Sequence, residues 1–196
     1  MNVRNYNIIE GTYPVLISAP HVFSHKRPSI RGVMKQGEPN TDVLAKLIAQ
    51  KTGAWVIYLK ESSTEYDPNY HKLENNLYKA EIKNLVKEKK INTVIDIHGL
   101  SDFHHYDLGV FYGMRFRKSR DIAQSLVGEL GKKRPLKDLT YCIGYTSKNL
   151  QETITEFVNE KLRLPAIQIE IARYIRLDAQ LLESMADGIS ELIKKL

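Results

Sequence analysis

The segment Ile91-Asn92-Thr93-Val94-Ile95-Asp96-Ile97-His98-Gly99 decides the reading of this chain. Ile91 to Ile97 is a short apolar run stopped by His98-Gly99, with the length and β-branched content of a buried strand. The stretch before it, Lys72 to Lys89, places Leu73, Leu77, Ala80, Ile82, Leu85 and Val86 at helical spacing. A helix feeding a strand of this kind is half of a crossover unit. The pattern repeats outward in both directions. Pro14–Ala19, Ala54–Leu59, Leu108–Tyr112 and Ala166–Ile171 read as strands, and Leu139–Ile143 as a short one. Helical patterns lie between them: one capped by Thr41 or Asn40, with Val43, Leu44, Leu47 and Ile48 at helical spacing and Gly53 as its stop, Ser119 to Leu130 closed by Gly131, Glu152 to Leu162, and Asp178 to Leu196.

Alternating strands and helices predict a three-layer α/β/α fold with a mainly parallel or mixed sheet. The strands are near-continuously apolar, as strands covered on both faces are. No repeat or linker divides the sequence, so residues 1–196 are expected to form a single domain.

The chain has 196 residues, 42% of them hydrophobic and 27% charged, which excludes disorder, collagen and coiled coil. Its one cysteine, Cys142, excludes a disulfide framework and any multi-cysteine metal site. A metal site here must use histidines and carboxylates. Cys142 lies in an apolar segment and reads as core rather than nucleophile. The first residues lack the apolar region of a signal peptide, and no run reaches the length of a membrane span, so a cytoplasmic location is expected. The net charge of +6 gathers at Lys87–Lys90, Lys132–Arg134 and Lys194–Lys195. Each cluster ends a helical segment, where cations complement the helix dipole. No nucleic-acid motif accompanies them, so the charge points to an acidic small-molecule or peptide-like substrate rather than to nucleic acid.

Ligands of open α/β sheets bind beyond the carboxyl ends of the strands. His21 follows the first strand, His98 follows the strand before Gly99, and Glu170 lies in the last strand. Glu38 stands just before a helix, in Gly37-Glu38-Pro39-Asn40-Thr41-Asp42. Two histidines and a carboxylate, with one position open for water, suit a hydrolytic zinc ion, and a further carboxylate would serve as base. Turn histidines bonded to backbone, and a glutamate paired with Arg173 or Arg176, are the plainer alternatives. Asp96 shares the side of its strand with His98 and would orient it or be a satisfied buried acid. Arg173, Arg176 and Arg31 offer planar forks for a substrate carboxylate, or are surface residues. Tyr145 and Asp107 read as turn residues with a lesser claim on substrate, and Asp67-Pro68-Asn69 shapes the site or turns the chain. His104 and His105 read as a solvated loop, because neighbours on a strand cannot face one ion.

The strings Ile17-Ser18-Ala19-Pro20-His21, Gly37-Glu38-x-x-Thr41-Asp42, Asp96-Ile97-His98-Gly99 and Gln168-Ile169-Glu170-Ile171-Ala172-Arg173 occur in that order. Together they resemble the N-formylglutamate amidohydrolase family and are similar to phage poly-γ-glutamate hydrolases. The resemblance covers roughly residues 14–176 and implies a carboxypeptidase-like (phosphorylase/hydrolase-like) fold. It also implies one Zn²⁺ on His21, Glu38 and His98, with Glu170 as general base in amide hydrolysis. Asp42 competes with Glu38 as the carboxylate ligand, or stands behind it one helical turn on. Arg173 and Arg31 become the candidates that anchor substrate.

Overall fold

The structure is a computed structural model that describes residues 4–27, 33–114, 116–146 and 152–196. In chain order the strands are β1 (Tyr6–Ile9), β2 (Tyr13–Ala19), β3 (His25–Lys26), β4 (Met34–Lys35), β5 (Ala54–Leu59), β6 (Thr93–Leu100), β7 (Leu108–Gly113), β8 (Tyr141–Thr146) and β9 (Ala166–Ala172). The helices are α1 (Thr41–Thr52), α2 (Leu77–Lys89), α3 (Arg117–Gly131), α4 (Ile154–Phe157), α5 (Arg173–Leu177) and α6 (Ala179–Ile193). Among these described residues, no helix is long and apolar enough to cross a membrane.

Seven strands pair in the order β1-β5-β2-β6-β9-β7-β8. The four central ones, β5, β2, β6 and β9, are mutually parallel. β1 runs antiparallel to β5 at one edge, and β7 runs antiparallel to β9, carrying β8 with it in parallel. The sheet is therefore mixed, with its parallel part in the middle.

Each face is covered. Val15, Ile17, Ile95, Ile97, Ile167 and Ile169 pack against Leu44 and Ile48 of α1, Ile122 and Leu126 of α3, and Leu182 and Ile189 of α6. Leu16, Val94 and Ala166 point the other way, onto Tyr78 and Ile82 of α2 and Ile154 and Phe157 of α4. The period-two alternation of a strand sorts the side chains to the two sides.

Local chemistry sets the element ends. Gly53 adopts φ 74° after α1 and donates its N–H to Ala49 O, the glycine stop expected there. The expected helix from Lys72 begins only at Leu77, because the Asn76 side chain accepts the Lys79 N–H and makes residue 76 the cap. Residues 73–75 form a single 3₁₀ turn before it. The helix expected over Glu152–Leu162 is split: one α turn starts at a Thr153/Glu156 capping box, and Val158–Leu162 widens into a π-type turn.

Four elements were not anticipated. β1 is short and gains its place only by pairing with distant β5. The stretch after His21, read as plain loop, contains the small β3–β4 hairpin. α5 begins immediately after β9. Cys142 is only half-buried, because β8 is an edge strand.

Candidate active site

β6 and β9 are adjacent parallel strands in which His98 pairs with Glu170 and Asp96 with Gln168. Paired residues of neighbouring strands point to the same face, so all four side chains leave the sheet on the α2 side. Leu16, Val94 and Ala166 lie earlier on that same face. Each strand thus changes from apolar to polar toward its carboxyl end. There the sheet opens into a cleft of about 840 Å³.

His21, one residue past Pro20 at the end of β2, reaches the same place, and its backbone O accepts the Glu38 N–H (2.7 Å). Glu38 is thereby brought from the turn before α1. The Glu38 carboxylate accepts the Gly99 N–H at Oε2 (2.9 Å). His21 Nδ1 lies 3.3 Å from Glu38 Oε1, His98 Nδ1 lies 3.4 Å from Glu38 Oε2, and the two Nδ1 atoms are 3.1 Å apart. Donor atoms about 2.0–2.1 Å from a tetrahedral ion stand roughly 3.3 Å from each other, so the triangle has the right size for zinc.

Its protonation also fits. His21 Nε2 is 2.8 Å from Asp67 Oδ1, and His98 Nε2 is 2.9 Å from Asp96 Oδ2. Carboxylate oxygens accept, so each imidazole directs an Nε2 proton outward, and the neutral form of each ring turns its Nδ1 lone pair inward. The two Nδ1 atoms and the Glu38 carboxylate then converge at distances where either a ring proton or a cation sits between them. Carboxylates behind ligating histidines are the usual support of a metal site.

Charge shifts follow from this crowding. Burial alone would push the His21 and His98 imidazoles down. The surrounding carboxylates outweigh it: Glu38 and Asp67 at His21, Asp96 and Glu38 at His98, and both rings are held above their ordinary range. Burial opposes ionisation of Glu38 and Asp67, yet the adjacent histidines hold both carboxyls well below the usual range. Glu170 goes the other way. Burial raises it and Glu38 adds to that, while His98 and the Gln168 amide oppose.

Asp67, read from sequence as shaping the site or turning the chain, is the hub of the site. Its Oδ1 accepts from His21 Nε2 and from the N–H of Asn69 and Tyr70. Its Oδ2 lies 3.6 Å from both His25 Nε2 and Arg27 Nε. His25, one of the four histidines away from the strand ends that read from sequence as loop or surface residues, is buried and stacked flat on His21 with ring centroids 3.7 Å apart. Burial, reinforced by neighbouring His21, lowers its pKa to about 4, so it stays neutral. His21, His25 and Asp67 form a second group with metal-like spacing. The Arg27 guanidinium beside Asp67 opposes a second cation there.

The remaining expectations divide. Glu170 makes no ion pair with Arg173 or Arg176 among the described residues, and its Oε1 accepts from Gln168 Nε2 (2.6 Å). Asp42 is not at the site, since it pairs with Lys46 (2.6 Å) on the surface of α1. Arg173 is exposed and lines the cleft, together with Arg27 and Lys35. Arg176 is buried rather than on the surface. Arg31 lies outside the described residues. His104 and His105 are exposed, as read, although His104 reaches the cleft mouth. Tyr145 is exposed on β8, and Asp107 accepts the Thr140 N–H. No local spacing marks His25. Gln168 carried a legible hint, standing two residues before Glu170 on the same side of its strand, and Asp67 one in its Asp67-Pro68-Asn69 turn.

The fold is the α/β architecture of carboxypeptidase-like hydrolases and amidases. No protein-family model matches the sequence. No curated protein matches it either. Solved structures do match over nearly the whole chain. N-formylglutamate amidohydrolase from Ralstonia eutropha superimposes with a TM-score of 0.66 at 12% identity, covering 98% of both chains. A bacteriophage poly-γ-glutamate hydrolase gives 0.62 at 15% identity, over 97% of this chain and 89% of its own. N-acetylmuramoyl-L-alanine amidase from Clostridium difficile gives 0.61 at 14%, over 95% and 97%. At these identities the likeness is one of fold.

Proposed function

We propose that this protein is a zinc-dependent amidohydrolase. On this reading it acts as one domain with one ion per chain, on the amide bond of an N-acyl amino acid or a glutamyl-type substrate. The observation that carries the proposal is the triangle of His21 Nδ1, His98 Nδ1 and the Glu38 carboxylate, with each imidazole Nε2 facing a carboxylate behind it. The resemblance of the strand-end motifs to N-formylglutamate amidohydrolases, and the printed activities of the structural neighbours, support the same reading.

Zinc bound at these three residues would supply a water of lowered pKa and a Lewis acid for the carbonyl. The chain's own groups do the rest. Asp67 and Asp96 fix the imidazoles in the ligating tautomer. Gln168 occupies one oxygen of Glu170 and leaves the other for proton transfer. Burial raises the Glu170 carboxyl, so it takes a proton from the attacking water and can release it to the departing nitrogen. Arg173 on the rim, with Arg27 and Lys35 opposite, gives the cleft a cationic wall suited to a substrate carboxylate. The lone cysteine fits work in the reducing cytoplasm.

Metal analysis after exposure to zinc sulfate tests this directly, with about one ion per chain expected and its loss in His98→Ala. Glu170→Gln should keep the ion and lose about 10²–10⁴-fold in turnover of N-acyl-glutamates or γ-glutamyl peptides. A folded protein that takes up no zinc would instead be a non-catalytic anion- or nucleic-acid-binding module on this fold. Unchanged turnover in Glu170→Gln rejects the assigned base.

A further inference from the structure

Glu38 stands in the turn Gly37-Glu38-Pro39-Asn40, away from the strands that carry His98 and Glu170. Its backbone N–H is tied to His21 O, and its carboxylate to the Gly99 N–H. The far side of the turn is held by Arg176. This side chain is 3% exposed, donates from Nε to Ile171 O (3.0 Å), and donates from Nη1 to Pro39 O (2.6 Å). The turn answers: Asn40 Nδ2 donates to Arg176 O (2.8 Å).

Several features are hard to explain unless this latch matters. Asn40 has φ 66° and occupies the cap position of α1, yet its side chain makes no capping bond. It is directed at Arg176 instead. Arg176 has no carboxylate within 4 Å among the described residues, and burial lowers its pKa. Glu38, Asp102 and Glu170 act on it only from a distance, and a buried guanidinium with no direct ion pair costs stability that an apolar side chain of similar size would avoid. Its slot runs against Gly99, where a methyl group would collide with the guanidinium. Gly99 is also the residue whose N–H holds Glu38.

We propose that Arg176 and Asn40 are positioning residues for Glu38. Their reciprocal bonds between α5 and the turn set where the carboxylate meets the two imidazoles. The proposal rests on the reading of His21, Glu38 and His98 as zinc ligands. Arg176 is then not a substrate anchor, although its guanidinium borders the cleft.

The test measures zinc affinity by chelator competition, and the visible spectrum of the cobalt-substituted protein, in wild type, Arg176→Met and Asn40→Gly. Glycine keeps the left-handed backbone at position 40 and deletes only the bond to Arg176. Zinc affinity is expected to fall about 10–100-fold in Arg176→Met, and less in Asn40→Gly. The cobalt bands should weaken and shift as the carboxylate withdraws. Wild-type affinity and spectrum in both variants overturn the latch, and a raised KM with unchanged zinc affinity makes Arg176 a substrate anchor. If Arg176→Met fails to fold, the Asn40→Gly result decides alone. If wild type itself binds no zinc, the metal reading falls, and the latch with it.

Discussion

The two faces of the central sheet end differently. On the side covered by α1, α3 and α6, strands β2, β6 and β9 stay apolar almost to their tips, from Val15 to Ala19, Ile95 to Ile97 and Ile167 to Ile171. On the side covered by α2 and α4 the same strands pass from Leu16, Val94 and Ala166 to Ser18, Asp96, His98, Gln168 and Glu170. One face is a core throughout. The other is core for half its length and chemistry for the rest. A rigid apolar face lets its neighbour keep buried charges in register, because each polar residue is flanked along the strand by residues locked into packing.

The contrast can be broken from either side. Ile169→Ala, on the apolar face, should destabilise by about 2–5 kcal/mol through the cavity it leaves, while the folded protein still binds one zinc. Denaturant unfolding with a metal titration checks this, and a lost site with intact stability would erase the distinction. Asp67→Ala acts on the other side. It removes the acceptor for His21 Nε2 and should cost about 10–100-fold in zinc affinity with a smaller change in stability.

The smallest effect is expected at Lys79 of α2, buried behind the site. It donates to the Glu152 carbonyl oxygen and lies 3.5 Å from the Glu152 carboxylate. Burial lowers its pKa to about 8 despite that partner. The unfolded chain keeps lysine at about 10.4, so the unfolded state binds more protons between these values. Wild type should therefore gain stability as pH rises from about 8 to 10. Lys79→Met should lack that gain and be more stable than wild type at pH 7, by on the order of 1–2 kcal/mol. Parallel stability curves for the two proteins across this range would refute the assignment.

Much of this was legible because it is carried by periodicity. The apolar runs announced β2, β5, β7 and β9 to within a residue and β6 to within three, since β6 runs on through His98 to Leu100, and His21, His98 and Glu170 were visible as polar interruptions at or near strand ends. Glu38 was legible as a candidate from its place before a helix, the resemblance made it a ligand, and the structure separates it from Asp42, which pairs with Lys46. What stayed hidden depends on pairing across the chain. Asp67 meets His21 across 46 residues, and Arg176 meets Pro39 across 137. No local spacing encodes such encounters. β1 was missed for the same reason, since its ladder is with β5. His25 looked like a loop residue because its burial comes from a hairpin two residues long on each side.

The reversal of β7 against β9 has a consequence for how this cleft can change over time. β6 runs toward the site and β7 runs away from it, so Ser101–Asp107 is a single connection that leaves and re-enters the sheet at the cleft mouth. It places Ser101, His104 and Tyr106 in the cleft wall and leaves Phe103 96% exposed, while supplying none of the residues assigned to the ion or to proton transfer. Insertions or replacements there would redraw the outline a substrate must match without re-registering a strand. This stretch of chain is where descendants of the sequence can diversify what they accept while inheriting the chemistry intact.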